Sequence, residues 1–167
     1  MSVTEADLEV PAERHTRTLD LVGTLARLIL GLVLIVAGAL KVTKPGASAN
    51  AVHAYQVLPY DVGTYVGYAL PIVEIIVGLL LVLGLFTRVA AVLGTLLMVV
   101  FITGIGQAWA RGLTIDCGCF GGGGPVNANQ TKYGLEIARD VGLALCGAWL
   151  VRRPASLAGL DRLWFGS

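Results

Sequence analysis

The stretch 64-TYVGYALPIVEIIVGLLLVLGL-85 decides what kind of molecule this chain makes. It carries one charge, Glu74, and one proline, Pro71, in an otherwise apolar run. A bilayer core about 30 Å thick is crossed by roughly 20 apolar residues of helix. The segment fits that length. Its surroundings agree, because 56% of the 167 residues are hydrophobic, 14% are charged and the mean hydropathy is +0.77. A water-soluble domain has a more even balance of apolar and charged residues.

Working outward, three further segments read as spans. Leu19–Leu40 holds Arg27 well inside it, and Val89–Trp109 holds no charge. Tyr133–Val151 is shorter and contains Glu136, Arg139 and Asp140. The expectation is an all-α membrane protein, a four-transmembrane-helix bundle occupying residues 19–151. A polar tail, 1–18, precedes it, and a second, 152–167, follows. The opening MSVTEADLEVPAERHTRTLD lacks the basic start and apolar core of a secretory signal, so it reads as a cytoplasmic tail. A formal net charge of +1 with no basic run argues against nucleic acid as a partner.

Basic residues near span ends orient a bundle, because they stay on the cytoplasmic side. Arg14, Arg17, Arg88, Arg152, Arg153 and Arg162 lie on the side of the termini; Lys41, Lys44, Arg111 and Lys132 lie on the other. The balance places both termini in the cytoplasm and the chain in the inner membrane, with the loops at 41–63 and 110–132 outside. Ala90 with Gly94, and Ala138 with Gly142, are small residues four apart, and Gly78 follows Glu74 by one turn. Such spacing lets helix backbones approach closely in lipid.

Charges within spans are costly and mark candidate sites. Depth along the helix axes puts Glu74 near mid-span, within reach of Arg139 or Arg27, with Arg139 nearer. Pairing them avoids two isolated buried charges, whether its purpose is chemistry or only the packing of the bundle. Glu136 and Asp140 fall near the outer interface, where water can solvate them.

The loop between the third and fourth spans contains 117-CGCFGGGGP-125. A disulfide between Cys117 and Cys119 closes a very small ring, and strained, exposed disulfides are the labile, exchange-prone ones. Gly118 permits the backbone angles that such a ring needs, while Gly121–Gly124 allow close approach of a partner or a swing of the loop. Three readings compete with redox chemistry: a structural staple, a metal site and two inert thiols. A metal reading lacks ligands, since two cysteines fall short of four and His15 and His53 are remote in sequence. Cys146, among apolar neighbours in the last span, reads as packing.

The segment 27-RLILGLVLIVAGALK-41, the run from Tyr55 to Arg88 and the string CGCFG together resemble the MauE branch of the MauE/DoxX group of membrane proteins. The likeness extends over about residues 22–151. It implies four spans and a role in thiol–disulfide metabolism outside the cytoplasm. The partners implied are a thioredoxin-fold protein and a disulfide-containing client, which in the namesake is the small subunit of methylamine dehydrogenase. By position, Cys117 and Cys119 would be the redox pair, and Glu74, Arg27, Lys41 and Arg139 the family's polar positions. If electrons pass onward, a quinone held near Glu74 and Arg139 is the candidate acceptor, by analogy with other four-helix disulfide-generating membrane proteins; electron flow outward, through a reductant relay, is the equal alternative, and the sequence does not fix the direction. The rival class is a non-catalytic assembly subunit with a structural CGC loop. A small-solute transporter is disfavoured by the short span count and the lack of internal repeats.

Overall fold

The computed structural model describes residues 6–153, with side chains from Arg17 onward. Of the predicted tails, residues 6–18 belong to the helix that runs on to Val42, whereas 1–5 and 154–167, with Arg162 of the charge count, lie outside the described residues, as does the side chain of Arg14. Five α-helices make the body of the protein: α1 (Ala6–Val42), α2 (Pro45–Ala54), α3 (Tyr60–Leu83), α4 (Thr87–Ala110) and α5 (Tyr133–Arg152). Between α4 and α5 a two-residue ladder, β1 (Ile115–Asp116) with β2 (Gly124–Pro125), brackets the cysteines.

Among the described residues, three segments are long and apolar enough to cross a bilayer: Arg17–Val42, Tyr60–Leu83 and Thr87–Ala110. The predicted fourth span corresponds to α5, whose acidic and basic residues keep it below that standard. Along α1, Leu21, Leu25, Ile29, Leu32 and Val36 point outward at helical spacing. An exposed apolar stripe of that length suits acyl chains rather than water.

The helices end where the backbone tells them to. Gly84 adopts φ +66°, its N–H reaches the Leu81 carbonyl, and the Leu85 N–H reaches the Leu80 carbonyl. Those two bonds satisfy the last carbonyls of α3 and turn the chain sharply into α4. Gly112 ends α4 in the same way, with φ +67° and the corresponding bonds from Gly112 and Leu113.

Close approach of α1 and α3 rests on paired glycines. A Cβ on Gly78 would lie 2.7 Å from the Gly31 carbonyl oxygen, and one on Gly38 would lie 2.6 Å from the Pro71 carbonyl oxygen. On α4, Ala90 and Gly94 are buried as expected, with Gly94 against Leu30. The Ala138/Gly142 pair of α5 faces outward instead, and nothing lies within 4 Å of Gly142. Gly147 takes its place, seated on Thr95 of α4. Leu30, Leu34, Val77, Leu81 and Leu150 complete the core, and Cys146 packs against its edge.

Pro71 sets the geometry of the loop end. Having no N–H, it leaves the Gly67 carbonyl of α3 without its helical donor. The buried Ser48 hydroxyl of α2 supplies one at 2.7 Å. Gly67 has no side chain, so α2 can lie directly on α3 with the backbone of Ala49 in contact. The short helix α2 therefore caps the end of the bundle at which α1 stops and the cysteine loop returns.

Candidate functional site at the CGC loop

The cysteine loop is held shut from several directions. Ile115 pairs with Pro125 and Asp116 with Gly124, which fixes both ends of the segment. The Tyr133 hydroxyl donates to the Leu113 carbonyl and accepts the Ile115 N–H at 2.9 Å. The Tyr55 hydroxyl donates to the Cys117 carbonyl at 3.0 Å, and the Gln107 amide donates to the Tyr55 carbonyl at 2.9 Å. Burial holds the Tyr55 phenol well above its usual range, so it remains a donor at any physiological pH.

The glycine run has a local purpose that differs from the one expected of it. Gly118 sits at φ +71° and Gly123 at φ +111°, and a Cβ on either would collide with Ala51 of α2. Gly121, at φ +81°, lies against Leu40 at the end of α1. These residues press the loop onto the protein's own helices. Gly124, by contrast, has nothing within 4 Å of where a Cβ would stand.

Both cysteines are free thiols, Cys119 buried and Cys117 half-buried. The Cys119 N–H donates to the Cys117 sulfur at 3.2 Å, so the two residues are folded back on one another. They ionise very differently. Cys119 lies below the ordinary thiol range, chiefly because the Cys117 thiol donates a hydrogen bond to it. Arg139 adds to that effect, against the opposition of burial and Asp140. Cys117 is pushed far up by the same bond, by burial and by the adjacent Cys119 charge, with Glu136 contributing. The two thiols therefore titrate as a coupled pair, and the first negative charge is favoured on Cys119 over Cys117.

The polar positions separate into three groups. Glu74, fully buried, pairs with Lys41 at 2.5 Å and not with either arginine. Gly38 lies against Pro71 and Glu74, and that contact brings the end of α1 alongside Glu74. Lys41 also stands 5.3 Å over the Phe101 ring. Arg139 pairs with its neighbour Asp140 at 2.8 Å and stacks over Phe120 at 4.8 Å. Asp140 is 1% exposed, so the expectation that water solvates it is corrected. Arg27 is also buried, yet it lies 14 residues before Lys41 on one helix, roughly 21 Å away. It takes no part in this site.

Sequence reasoning missed Asp140, Tyr55 and Gln107. Asp140 carried a signal, because an acid beside an arginine in an otherwise apolar helix invites pairing. Nothing local marks the other two, since their partners lie 62 and 52 residues away. His53 stacks on Tyr60 at 4.3 Å and meets the Thr64 hydroxyl at 3.1 Å, away from the cysteines. Asp116, Cys117 and Glu136 bring their ligand atoms within 4.8 Å of one another. That is one short of a closed tetrahedral set; Glu136 helps raise the Cys117 thiol, while Asp116 accepts the Gly118 N–H at 3.1 Å.

Two voids adjoin the cysteines. One, about 10 Å³, lies among Glu74, Arg139, Asp140 and Cys119. The other, about 410 Å³, lies between the loop-end halves of α3 and α4 and reaches Lys41, Cys117 and Cys119.

The family model of methylamine utilisation protein MauE matches residues 19–153, which takes in all three spans, the cysteine loop and α5. The chain belongs to the MauE family. No curated protein and no solved structure matches it. MauE membership and the membrane-spanning helices together make it a multi-pass membrane protein.

Proposed function

We propose that this MauE-family protein exchanges disulfides through Cys117 and Cys119 with a thioredoxin-fold partner outside the cytoplasm, and so supports maturation of a disulfide-containing client. One observation carries the reading: Cys117 and Cys119 are folded back on one another, with the Cys119 N–H 3.2 Å from the Cys117 sulfur and Cys117 the more exposed of the two. In an oxidised pair, a partner's thiolate attacks the Cys117 sulfur, which is the more exposed. Cys119 then leaves as a thiolate, favoured because a low leaving-group pKa speeds exchange. The partner's second thiol resolves the mixed disulfide, and Cys117 recovers its proton.

The orientation follows from charge. Lys41, buried against Glu74, is not a loop charge, so the loop side has three basic residues, Lys44, Arg111 and Lys132, against six with the termini. The positive-inside rule then favours cytoplasmic termini and an outward-facing CGC loop. The exposed stripe of Leu135, Val141 and Leu145 supports α5 as a fourth span, its charges turned toward the bundle.

The assembly-subunit reading needs the CGC pair as a staple. Against it, hydrogen bonds and glycine packing already hold the loop while both cysteines are thiols. The deciding experiment is a thiol-trapping titration of the purified protein across redox buffers, read by mass spectrometry. A Cys117–Cys119 bond that opens and closes reversibly at roughly −120 to −270 mV fits exchange with thioredoxin-fold proteins. A bond that never forms, or that opens only in far more reducing buffers, makes the loop structural.

A further inference from the structure

We infer that the pocket between α3 and α4 binds a lipid-soluble quinone, which accepts two electrons from Cys117 and Cys119. The inference rests on the exchange reading above and names the oxidant that keeps the pair working.

The pocket's volume, about 410 Å³, lies within the range of roughly 300–1,000 Å³ typical of small-molecule sites. Its walls are apolar, and at its mouth Val66, Val99 and Val100 are exposed on the flanks of two membrane-spanning helices. Whatever enters there comes from lipid. At the inner end stand Lys41, Cys117 and Cys119.

A ligand matching both ends needs an apolar tail, a head with acceptor oxygens and the capacity to take electrons from thiols. Lys41 is the donor at the closed end, because its ammonium offers three N–H groups and Glu74 accepts one. The Tyr55 hydroxyl and the Gln107 amide already donate to backbone carbonyls. An acyl chain would fill the volume yet leave the ammonium and the thiols unanswered. The void beside Glu74 and Arg139, expected from sequence to hold the quinone, is about 10 Å³, room for one water at most.

The step balances without a further reagent. Cys117 and Cys119 lose two electrons and form one S–S bond. The quinone gains those two electrons and two protons, becoming a hydroquinone. One proton comes from the Cys117 thiol, and the other is taken up from water, matching the one that Cys119 gives up to water when its sulfur reacts as the thiolate. Cys119 supplies electrons first, since it lies at both the pocket and the Arg139 side, where its thiol is shifted downward.

The test uses the full chain, reduced and desalted, in nanodiscs of quinone-free phosphatidylcholine without oxygen. Ubiquinone with a single isoprenyl unit is added, and quinone absorbance is followed together with free thiols. The expected result is one quinone reduced for every two thiols lost, with the new bond mapped to Cys117 and Cys119. Leu70→Trp and Val100→Trp, which fill the pocket and its mouth, should each slow the reaction at least tenfold. Glutathione disulfide, arriving from water, checks that the thiols of those variants still react. Val100 is 56% exposed, so Val100→Trp carries the test where Leu70→Trp fails to fold. Oxidation of the wild-type pair by glutathione disulfide but not by quinone overturns the site and leaves the exchange reading standing. Failure of both oxidants overturns the exchange reading as well. Unchanged quinone rates in both tryptophan variants overturn the assignment to this pocket.

Discussion

Lys41 and Glu74 form an ion pair at 2.5 Å between the end of α1 and the middle of α3, with 4% and 0% of their side chains exposed. The pair closes the floor of the region beneath Cys119, and it rather than an arginine neutralises the buried acid. Removing one partner leaves the other charged in an apolar interior, which costs more than losing the pair altogether. Lys41→Met should therefore destabilise the protein by about 3–5 kcal/mol, whereas Lys41→Met/Glu74→Leu should lie closer to wild type. Unfolding by SDS in mixed micelles measures the difference. Equal losses in the single and double variants would exclude a coupled pair.

The two thiols should titrate apart. A depressed pKa means that Cys119 remains a thiolate as pH falls below the ordinary thiol value of about 8.5, while Cys117 stays protonated well above it. Thiolate absorbance at 240 nm, in a Cys146→Ala background, should show one group ionising below that value. Cys117→Ala removes the donated hydrogen bond and should move the midpoint upward. A single transition of both thiols near the ordinary value would contradict the coupled arrangement.

Glycines of the loop should differ by what surrounds them. Gly118→Ala places a Cβ 2.6 Å from that of Ala51 on a backbone at φ +71° and should cost about 1–3 kcal/mol. Gly112→Ala meets the same kind of backbone angle in open space and should cost only about 1 kcal/mol. Ala51→Gly should recover part of the first loss and none of the second. Thermal unfolding in detergent reads all four proteins.

Helix approach gives a paired comparison within the membrane. Gly78→Val drives a side chain into the Gly31 carbonyl and should abolish the α1–α3 contact, leaving little folded protein. Gly142→Val faces outward and should stay within about 0.5 kcal/mol of wild type. Size-exclusion profiles after extraction distinguish them, and equal behaviour would mean that α1 and α3 do not meet through Gly31 and Gly78.

Hydropathy marked spans at Leu19–Leu40, Thr64–Leu85 and Val89–Trp109, within a few residues of the helical segments Arg17–Val42, Tyr60–Leu83 and Thr87–Ala110, because insertion in a bilayer depends on a sum over about twenty residues and not on who their neighbours are. The cysteine spacing likewise singled out the loop as the place for chemistry, since two residues one apart must be near each other in any fold. Rotation about each helix axis was beyond the same reasoning. Depth alone favoured arginine for Glu74, but Gly38 against Pro71 turns Lys41 to face it and leaves Arg139 to Asp140. Packing also decided that the loop glycines clasp Ala51 and Leu40, and that α3 and α4 part near the cysteines to leave a pocket. Burial along a chain is a one-dimensional property of its residues. Contacts between faces depend on how small residues let particular helices approach, and only the folded bundle fixes that.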